Sequence, residues 1–336
     1  MINILVTGGA GYIGSHTCKA LARAGFTPIT YDNFVYGHEW AVQWGPMERG
    51  DILDSQRLSR VMTEYRPVAV IHFAAFAYVG ESVENPAKYY RNNVVGTLGL
   101  LDAMRNSSID KIVFSSTCAT YGIPKRIPII EDAPQRPINP YGRSKLMVEQ
   151  ILADYGDAYN IKSVSLRYFN AAGADPAGRL GEDHRPESHL VPLAIDAALG
   201  RRPPLQVFGG DYPTADGTCV RDYVHVTDLA AAHLMALDRL DEAPGVTWNL
   251  GCGAGHSVLA VLRSIERISG LTVPHEMAPR RPGDAAVLVA ASDRARAAGW
   301  TPRHEALDEI VRTAFAWREA HPDGYGPMDA RAAPAG

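Results

Sequence analysis

Tyr141 and Lys145 stand four residues apart in the run Tyr-Gly-Arg-Ser-Lys. On a helix that spacing puts both side chains on one face. A free tyrosine hydroxyl ionises near ~10 and is a poor base at neutral pH. A neighbouring ammonium would favour the phenolate. A phenolate so placed can take a proton from a hydroxyl while hydride leaves the same carbon. Upstream, Lys111–Ser115 reads as a strand that runs into Ser116-Thr117. Parallel sheets place ligands at the carboxyl ends of their strands, so Thr117 is read as relaying or orienting that proton. By itself the Tyr/Lys pair reads better as an amphipathic surface pair, and its company reverses that.

That company begins at the N-terminus. Gly8-Gly-Ala-Gly11-Tyr-Ile-Gly14 follows an apolar run, Ile2–Thr7, and opens a helical stretch, Gly14–Ala24. Glycines here allow a tight turn and let a pyrophosphate approach the backbone N–H groups at a helix N-terminus. A second strand, Thr27–Tyr31, ends at Asp32. A carboxylate there accepts from a ribose 2′-OH and repels a 2′-phosphate, so NAD is expected rather than NADP. Asp51-Ile52 follows another predicted strand and is placed to meet the adenine, or to serve as a plain turn.

The elements that must position these residues alternate. Ser55–Tyr65 reads as helix, Val68–Phe73 as strand, and Asn85–Arg105 as one long helix with Pro86 in its first turn. Tyr141–Tyr159 reads as helix and Lys162–Arg167 as strand. Such alternation predicts an α/β fold, a doubly wound parallel sheet of Rossmann type covered on both faces. After Asn170 the texture shifts, and Ala171–His189 reads as loop, rich in Gly, Pro and charge. Shorter elements follow: helices Val191–Leu199, Thr227–Leu240, Ser257–Ile268 and Glu305–Arg318, and strands Leu205–Phe208, Thr247–Leu250 and Val287–Ala290. Residues 1–170 are expected to form the NAD-binding domain. Residues 171–328 are expected to form mainly a smaller substrate lobe, with some segments returning to the first domain, and 329–336 a frayed tail.

The chain has 336 residues and a formal net charge of −4, from 33 Lys+Arg against 37 Asp+Glu. No cation excess exists to neutralise phosphates, so nucleic acid is not an expected partner. Cys18, Cys118, Cys219 and Cys252 lie far apart, and neither a disulfide framework nor a metal site is read from them. Reduced thiols suggest a cytoplasmic protein. Glycines break the first apolar run at Gly8, too early for a leader sequence, and no apolar stretch approaches membrane-spanning length.

Taken together, Gly8–Gly14, Ser115-Ser116-Thr117, Tyr141/Lys145 and Arg167-Tyr168-Phe169-Asn170 resemble the extended short-chain dehydrogenase/reductase superfamily. His72-Phe73-Ala74, Gly80-Glu81-Ser82-Val83, Asn92-Asn93-Val94, Asp216-Gly217-Thr218, Val220-Arg221-Asp222-Tyr223 and Ala278–Asp284 narrow the resemblance, along nearly the whole chain, to the UDP-glucose 4-epimerases. The resemblance implies a tightly held NAD that is not consumed, a UDP-sugar substrate, and a 4-keto intermediate that takes its hydride back on the other face. It makes Tyr141 the base, Lys145 its electrostatic partner and Thr117 the assisting hydroxyl. It implies that Gly8, Gly11, Tyr12, Ile13, Gly14, Asp32, Asn33, Asp51, Ile52, Phe73, Ala74, Asn92, Ser115 and Tyr168 join Tyr141 and Lys145 around the cofactor. Asn170, His189, Leu190, Gln206, Phe208, Arg221, Arg281 and Asp284 would hold the UDP-sugar with Thr117 and Tyr141. Paired arginines suit a pyrophosphate through charge-assisted, bidentate contacts. The two helices Asn85–Arg105 and Tyr141–Tyr159 correspond to those that pair across a homodimer in related proteins.

Three positions depart from the best-known epimerases. Ala77 stands where a lysine often follows His-Phe-Ala-x-x, Ser188-His189-Leu190 stands where an Asn pair often lies, and Leu288 occupies the position that widens or narrows the sugar pocket. The strings Ser115–Gly122, Gly178–Glu182 and Arg185–Glu187 also resemble a branch containing UDP-xylose/UDP-arabinose 4-epimerases. One CH₂OH separates the two substrates, worth only ~1–3 kcal/mol in a tolerant pocket. Acceptance of N-acetylated sugars stays open on the same grounds. A 4,6-dehydratase would need an acid/base carboxylate beside the reacting ring, whereas Cys118 and Ala119 follow Thr117. A non-catalytic NAD-sensing module would not need Thr117, Tyr141 and Lys145 together.

Overall fold

In the computed structural model, residues 2–242, 244–281 and 283–326 are described. The expected tail, 329–336, lies outside them. Apolar, β-rich runs pair into a seven-stranded sheet because each can bury both faces. Ile4–Val6, Val70-Ile71 and Ile112-Val113 are fully buried. The strand order is Val246–Leu250, Lys162–Tyr168, Lys111–Thr117, Ala69–His72, Ile2–Thr7, Phe26–Asp32, Met47–Arg49. Every pairing is parallel. The order reverses between Ile2–Thr7 and Ala69–His72, which opens a crevice at their carboxyl ends.

Helices cover both faces. Cys18 and Leu21 of Tyr12–Arg23 share one core with Leu229, Ala232 and Ala236 of Val226–Arg239. On the opposite face Leu58, Val61 and Met62 of Ser55–Tyr65 pack with Leu100 and Leu101 of Gly96–Asn106. Val148 and Leu152 of Pro140–Tyr159 join that same core. The strand Val246–Leu250 and helix Val226–Arg239 thus belong physically to the first sheet although they come late in the chain. A separate core lies beyond them, where Val191, Ala194 and Ile195 meet Val261, Leu262, Ile265, Ile310 and Val311. Two small sheets flank it. Val220–His225 pairs with Asn170–Ala172, Gly255–Ser257 and Val287–Leu288, and Leu205–Phe208 pairs with His275–Ala278.

The expected long helix Asn85–Arg105 is interrupted. Asn85 caps Pro86–Tyr89, accepting from Lys88 N at 3.3 Å. A π-helical turn over Tyr90–Val95 then leads into Gly96–Asn106. Asn93 explains the widened turn. Its amide accepts from Phe76 N at 2.9 Å and donates to Phe76 O at 3.0 Å. The helix must bulge to satisfy both bonds while keeping its apolar face on the sheet. A further helix, Val79–Glu84, precedes it, where the sequence pattern gave no periodic signal. Ile129 and Ala290 form an isolated bridge, so the late strand is shorter than expected, ending at Leu288.

Candidate functional site

The glycine turn is shaped by what a side chain would strike. Gly8 has φ +73°, and a Cβ there would lie 2.6 Å from Ala74 N. A Cβ on Gly14 would collide with the Gly8 carbonyl. Gly11 differs, because its Cβ would meet only Gly8 O, at 3.4 Å. Gly8 and Gly14 close the turn, while Gly11 keeps a face bare toward the cleft. Phe73 N and Ala74 N donate to Thr7 O at 2.9 and 3.1 Å, which seals the base of the crevice. Asp32, at the end of its strand, accepts from Ala10 N at 3.0 Å and Phe34 N at 2.8 Å. Burial pushes its carboxyl up, and those two N–H bonds pull it back. Asn33 donates to the Asp51 carboxylate at 2.9 Å, and Asp51 caps Leu53 N at 2.9 Å. The bare face at Gly11, the N–H groups that open Tyr12–Arg23 and the carboxylate of Asp32 make a cradle that fits a dinucleotide.

Tyr141 and Lys145 lie on the first two turns of Pro140–Tyr159. Asn139 caps this helix, accepting from Gly142 N at 2.8 Å, and Pro140 occupies its first position. Lys145 is buried and donates to Ser115 O at 2.8 Å. Its Nζ also sits 4.8 Å from the centre of the Phe114 ring. Burial lowers the ammonium to about 7, with Glu149 opposing. Burial raises the Tyr141 phenol well above its ordinary value, Tyr168 adds to this, and a hydrogen bond with Thr117 pulls it down. Thr117 ends its strand and accepts from Ala119 N at 3.1 Å. The Ser115 hydroxyl is hydrogen-bonded to the Tyr168 hydroxyl. Beneath these groups, Arg167 donates to Glu149 Oε2 at 2.6 Å and to the Tyr121 hydroxyl at 2.8 Å. That buried ion pair locks the helix to the neighbouring strand. The Cys118 thiol is raised by burial to about 12, which keeps it protonated at neutral pH.

Across the cleft, Arg221 and Arg281 come from the second lobe. Arg221 donates to Val220 O and Ala285 O at 2.9 Å each, and to Asp284 Oδ1 at 2.7 Å. Arg281 stacks on Phe208, 3.9 Å from the ring centre. One cleft of about 1400 Å³ is lined by most of the expected residues. On the cofactor side these are Gly8, Gly11, Tyr12, Ile13, Gly14, Asp32, Asn33, Ile52, Phe73, Ala74, Asn92, Ser115 and Tyr168. On the other side stand Asn170, His189, Leu190, Arg221, Arg281, Asp284 and Leu288, with Thr117, Tyr141 and Lys145 between them.

Three expected residues stand back from it. Asp51 orients Asn33 rather than facing the cleft. Leu205 and Val207 turn into the core, so Gln206 and Phe208 share the opposite face of that strand. Gln206 is exposed and donates to Glu276 at 2.9 Å, outside the cleft. Phe208 serves as the platform under Arg281. Sequence reasoning missed Glu182, His184 and Glu187, which line the cleft beside His189. The spacing Glu-x-His-x-x-Glu-x-His was the available signal. No helix of the described residues is long and apolar enough to cross a membrane.

The sheet topology, the glycine cradle and the Tyr/Lys pair beside a strand-end threonine define a dinucleotide-dependent α/β enzyme. The chain belongs to the NAD dependent epimerase/dehydratase family, whose pattern matches residues 4–251. A UDP-glucose 4-epimerase of Rhizobium leguminosarum bv. trifolii is 54% identical over 316 residues, 94% of this chain and 96% of the relative. The crystal structure of a UDP-glucose 4-epimerase from Brucella ovis in complex with NAD superposes with a TM-score of 0.92 at 55% identity, covering 94% of this chain and 98% of that one. A Bifidobacterium longum UDP-glucose 4-epimerase in complex with NAD+ and UDP gives 0.91 at 40% identity, covering 96% and 99%.

Proposed function

We propose that this protein interconverts UDP-glucose and UDP-galactose by oxidising and re-reducing C4 of the sugar. The observation that carries the reading is the meeting, in one cleft, of Thr117, Tyr141 and Lys145 with the glycine cradle on one side and Arg221 and Arg281 on the other. Close relatives named UDP-glucose 4-epimerase support the substrate class. NAD, when bound, supplies the hydride acceptor and donor. Gly11, Asp32, Asn33, Asn92 and Tyr168 would hold it.

In this reading Arg221 and Arg281 grip the diphosphate, which leaves the sugar free to turn either face to the nicotinamide side. Tyr141 Oη takes the proton from the 4-hydroxyl and returns it after the sugar has turned. Thr117 Oγ1 orients that hydroxyl. The Lys145 ammonium stabilises the phenolate. Since hydride leaves and returns within one cleft, cofactor is neither added nor consumed.

The π-helical turn Tyr90–Val95 and the helix Pro140–Tyr159 carry exposed Val95 and Met147, which supports a homodimer formed through this face. Four free cysteines support a cytoplasmic setting.

The test follows UDP-galactose and UDP-xylose in parallel by proton NMR of the anomeric signals, with no NAD added. Faster conversion of the hexose is expected. Faster conversion of UDP-xylose would move the substrate to the pentose while keeping the chemistry. No conversion of either sugar overturns the proposal.

A further inference from the structure

Four side chains of one short segment converge on the cleft wall. Glu182, His184, Glu187 and His189 each offer a ligand atom, all within 4.8 Å of one another. The reaction proposed above uses neither glutamate and not His184. His184 Nδ1 lies 3.4 Å from Glu182 Oε1 and 3.5 Å from Glu187 Oε2. His189 Nδ1 lies 2.7 Å from Glu182 Oε1 and 3.4 Å from Glu187 Oε1. Zinc bonds to imidazole and carboxylate measure ~2.0–2.2 Å, so a tetrahedral ion spaces its ligands by roughly 3.3–3.6 Å. The two separations from His184 Nδ1 already have that length, His189 stands closer to Glu182, and Glu187 Oε1 accepts from Ser188 N and His189 N, which leaves Oε2 as the oxygen free for an ion.

A second observation is independent of the spacing. Glu182 Oε1, His184 Nδ1 and Glu187 Oε2 are buried, none meets hydrogen-bond geometry, and their close polar neighbours are one another and His189. The Glu182 side chain is only 7% exposed. Buried polar atoms paired only at such poor geometry cost free energy, and a cation shared by the four groups relieves that. Two imidazole nitrogens and two carboxylate oxygens suit zinc and its neighbours, not the all-oxygen shells of calcium or magnesium.

We propose that Glu182, His184, Glu187 and His189 bind one divalent cation of the zinc class, which fixes the segment 182–189 as a wall of the cleft. The segment is already held at both flanks. His184 meets the Tyr12 ring edge-on at 6.1 Å, and Pro186 O accepts from the Tyr78 hydroxyl at 2.9 Å. Tyr12 belongs to the first turn after the glycine cradle, and His189 immediately precedes the helix Leu190–Ala198. The ion therefore ties the cofactor side of the cleft to the side that carries Leu190. Its role is to position, and it takes no part in hydride transfer.

The full-length protein is tested in two states: as purified from zinc-supplemented culture, and after chelation and reloading with Zn²⁺ or Co²⁺ alone. One zinc per chain is expected by elemental analysis, with the intense visible absorption of four-coordinate Co²⁺ on reloading. His184→Gln and Glu187→Gln should each weaken Zn²⁺ binding by at least ~10–100-fold, the range seen for lesser changes around a metal. Zn²⁺ should raise the thermal midpoint of the unmodified protein but not of these variants. X-ray absorption at the zinc edge of the unmodified protein should read imidazole nitrogen and oxygen only, which does not depend on any variant folding. No retained zinc with no Co²⁺ spectrum overturns the proposal. So does unchanged zinc binding in both variants, or a sulfur ligand at the zinc edge. None of these readouts involves sugar turnover.

Discussion

Lys145 donates its buried ammonium to the carbonyl of Ser115 at 2.8 Å, so the helix carrying Tyr141 is fastened to the strand end carrying Thr117. The ammonium is held where burial disfavours its charge. Its pKa falls from 10.5 to about 7. In the unfolded chain the amine stays charged up to the ordinary value, so between pH 7 and ~10.5 the unfolded state binds more protons. Stability must then rise with pH across that window. The penalty is complete below pH 7 and is relieved as pH climbs toward 10.5. Lys145→Met removes the titrating group. On protein stripped of cofactor, the thermal midpoint of the variant should exceed that of the unmodified protein more at pH 6 than at pH 9. The difference between those two conditions is on the order of 3 kcal/mol, at ~1.36 per pH unit. A difference independent of pH would mean that Lys145 titrates normally in the fold.

Tyr141 occupies the next site along the same helix face, and its phenol is held protonated in the cofactor-free cleft by burial. Tyr141→Phe removes only the hydroxyl. Loss of a positioned acid/base group costs ~10²–10⁴-fold, and kcat for UDP-galactose should fall by that amount. Bound NAD, read from absorbance of the purified variant, should be unchanged, as should the circular dichroism. Full turnover by this variant would remove Tyr141 from the reaction.

Much of this was legible in advance, for a physical reason. A strand buried on both faces, such as Ile112–Phe114, can only be apolar, and a turn that must clear Ala74 can only be glycine at position 8. The helix interruption at Tyr90–Val95 was hidden because its cause, Asn93 bonding the backbone of Phe76, lies seventeen residues away. Gln206 stands outside the cleft although it shares a face with Phe208, because a four-residue strand does not announce how far along it the cleft begins. The set Glu182, His184, Glu187 and His189 sat in a stretch read as loop, where no periodicity groups side chains. Only the folded path of 182–189 brings their ligand atoms together.

The three glycines of the cradle should separate folding from binding. A methyl on Gly14 runs into the Gly8 carbonyl, and overpacking of this kind costs ~1–3 kcal/mol or more. Gly14→Ala should therefore lower the thermal midpoint. Gly11→Ala meets only an oxygen at 3.4 Å and should fold normally. Its methyl instead occupies the face a pyrophosphate must approach, so NAD affinity should drop at least ~10-fold by isothermal titration of stripped protein, the loss of about one hydrogen bond to a charged group. Equal NAD affinity in Gly11→Ala and the unmodified protein would move the pyrophosphate off this turn.

Arg221 spends three donors on the protein, to Val220 O, Ala285 O and Asp284, which holds its guanidinium at the cleft in one orientation. A rigidly aimed fork is what bidentate recognition of a diphosphate requires. Hydrogen bonds to charged groups contribute ~1.5–3 kcal/mol, or roughly 10–150-fold. Arg221→Met should raise KM for the UDP-sugar by that factor, with kcat lowered much less and NAD retention unaltered. Asp284→Asn keeps a neutral acceptor for the guanidinium and loosens its aim without deleting it, so KM should rise by less than ~10-fold. The ordering matters more than either value. If the two variants share an unchanged KM and a similarly lowered thermal midpoint, the pair serves only to bind the segment near Ala285 to the strand Val220–His225. If KM rises in the order proposed, the charge of Arg221 acts on the substrate and Asp284 acts through Arg221.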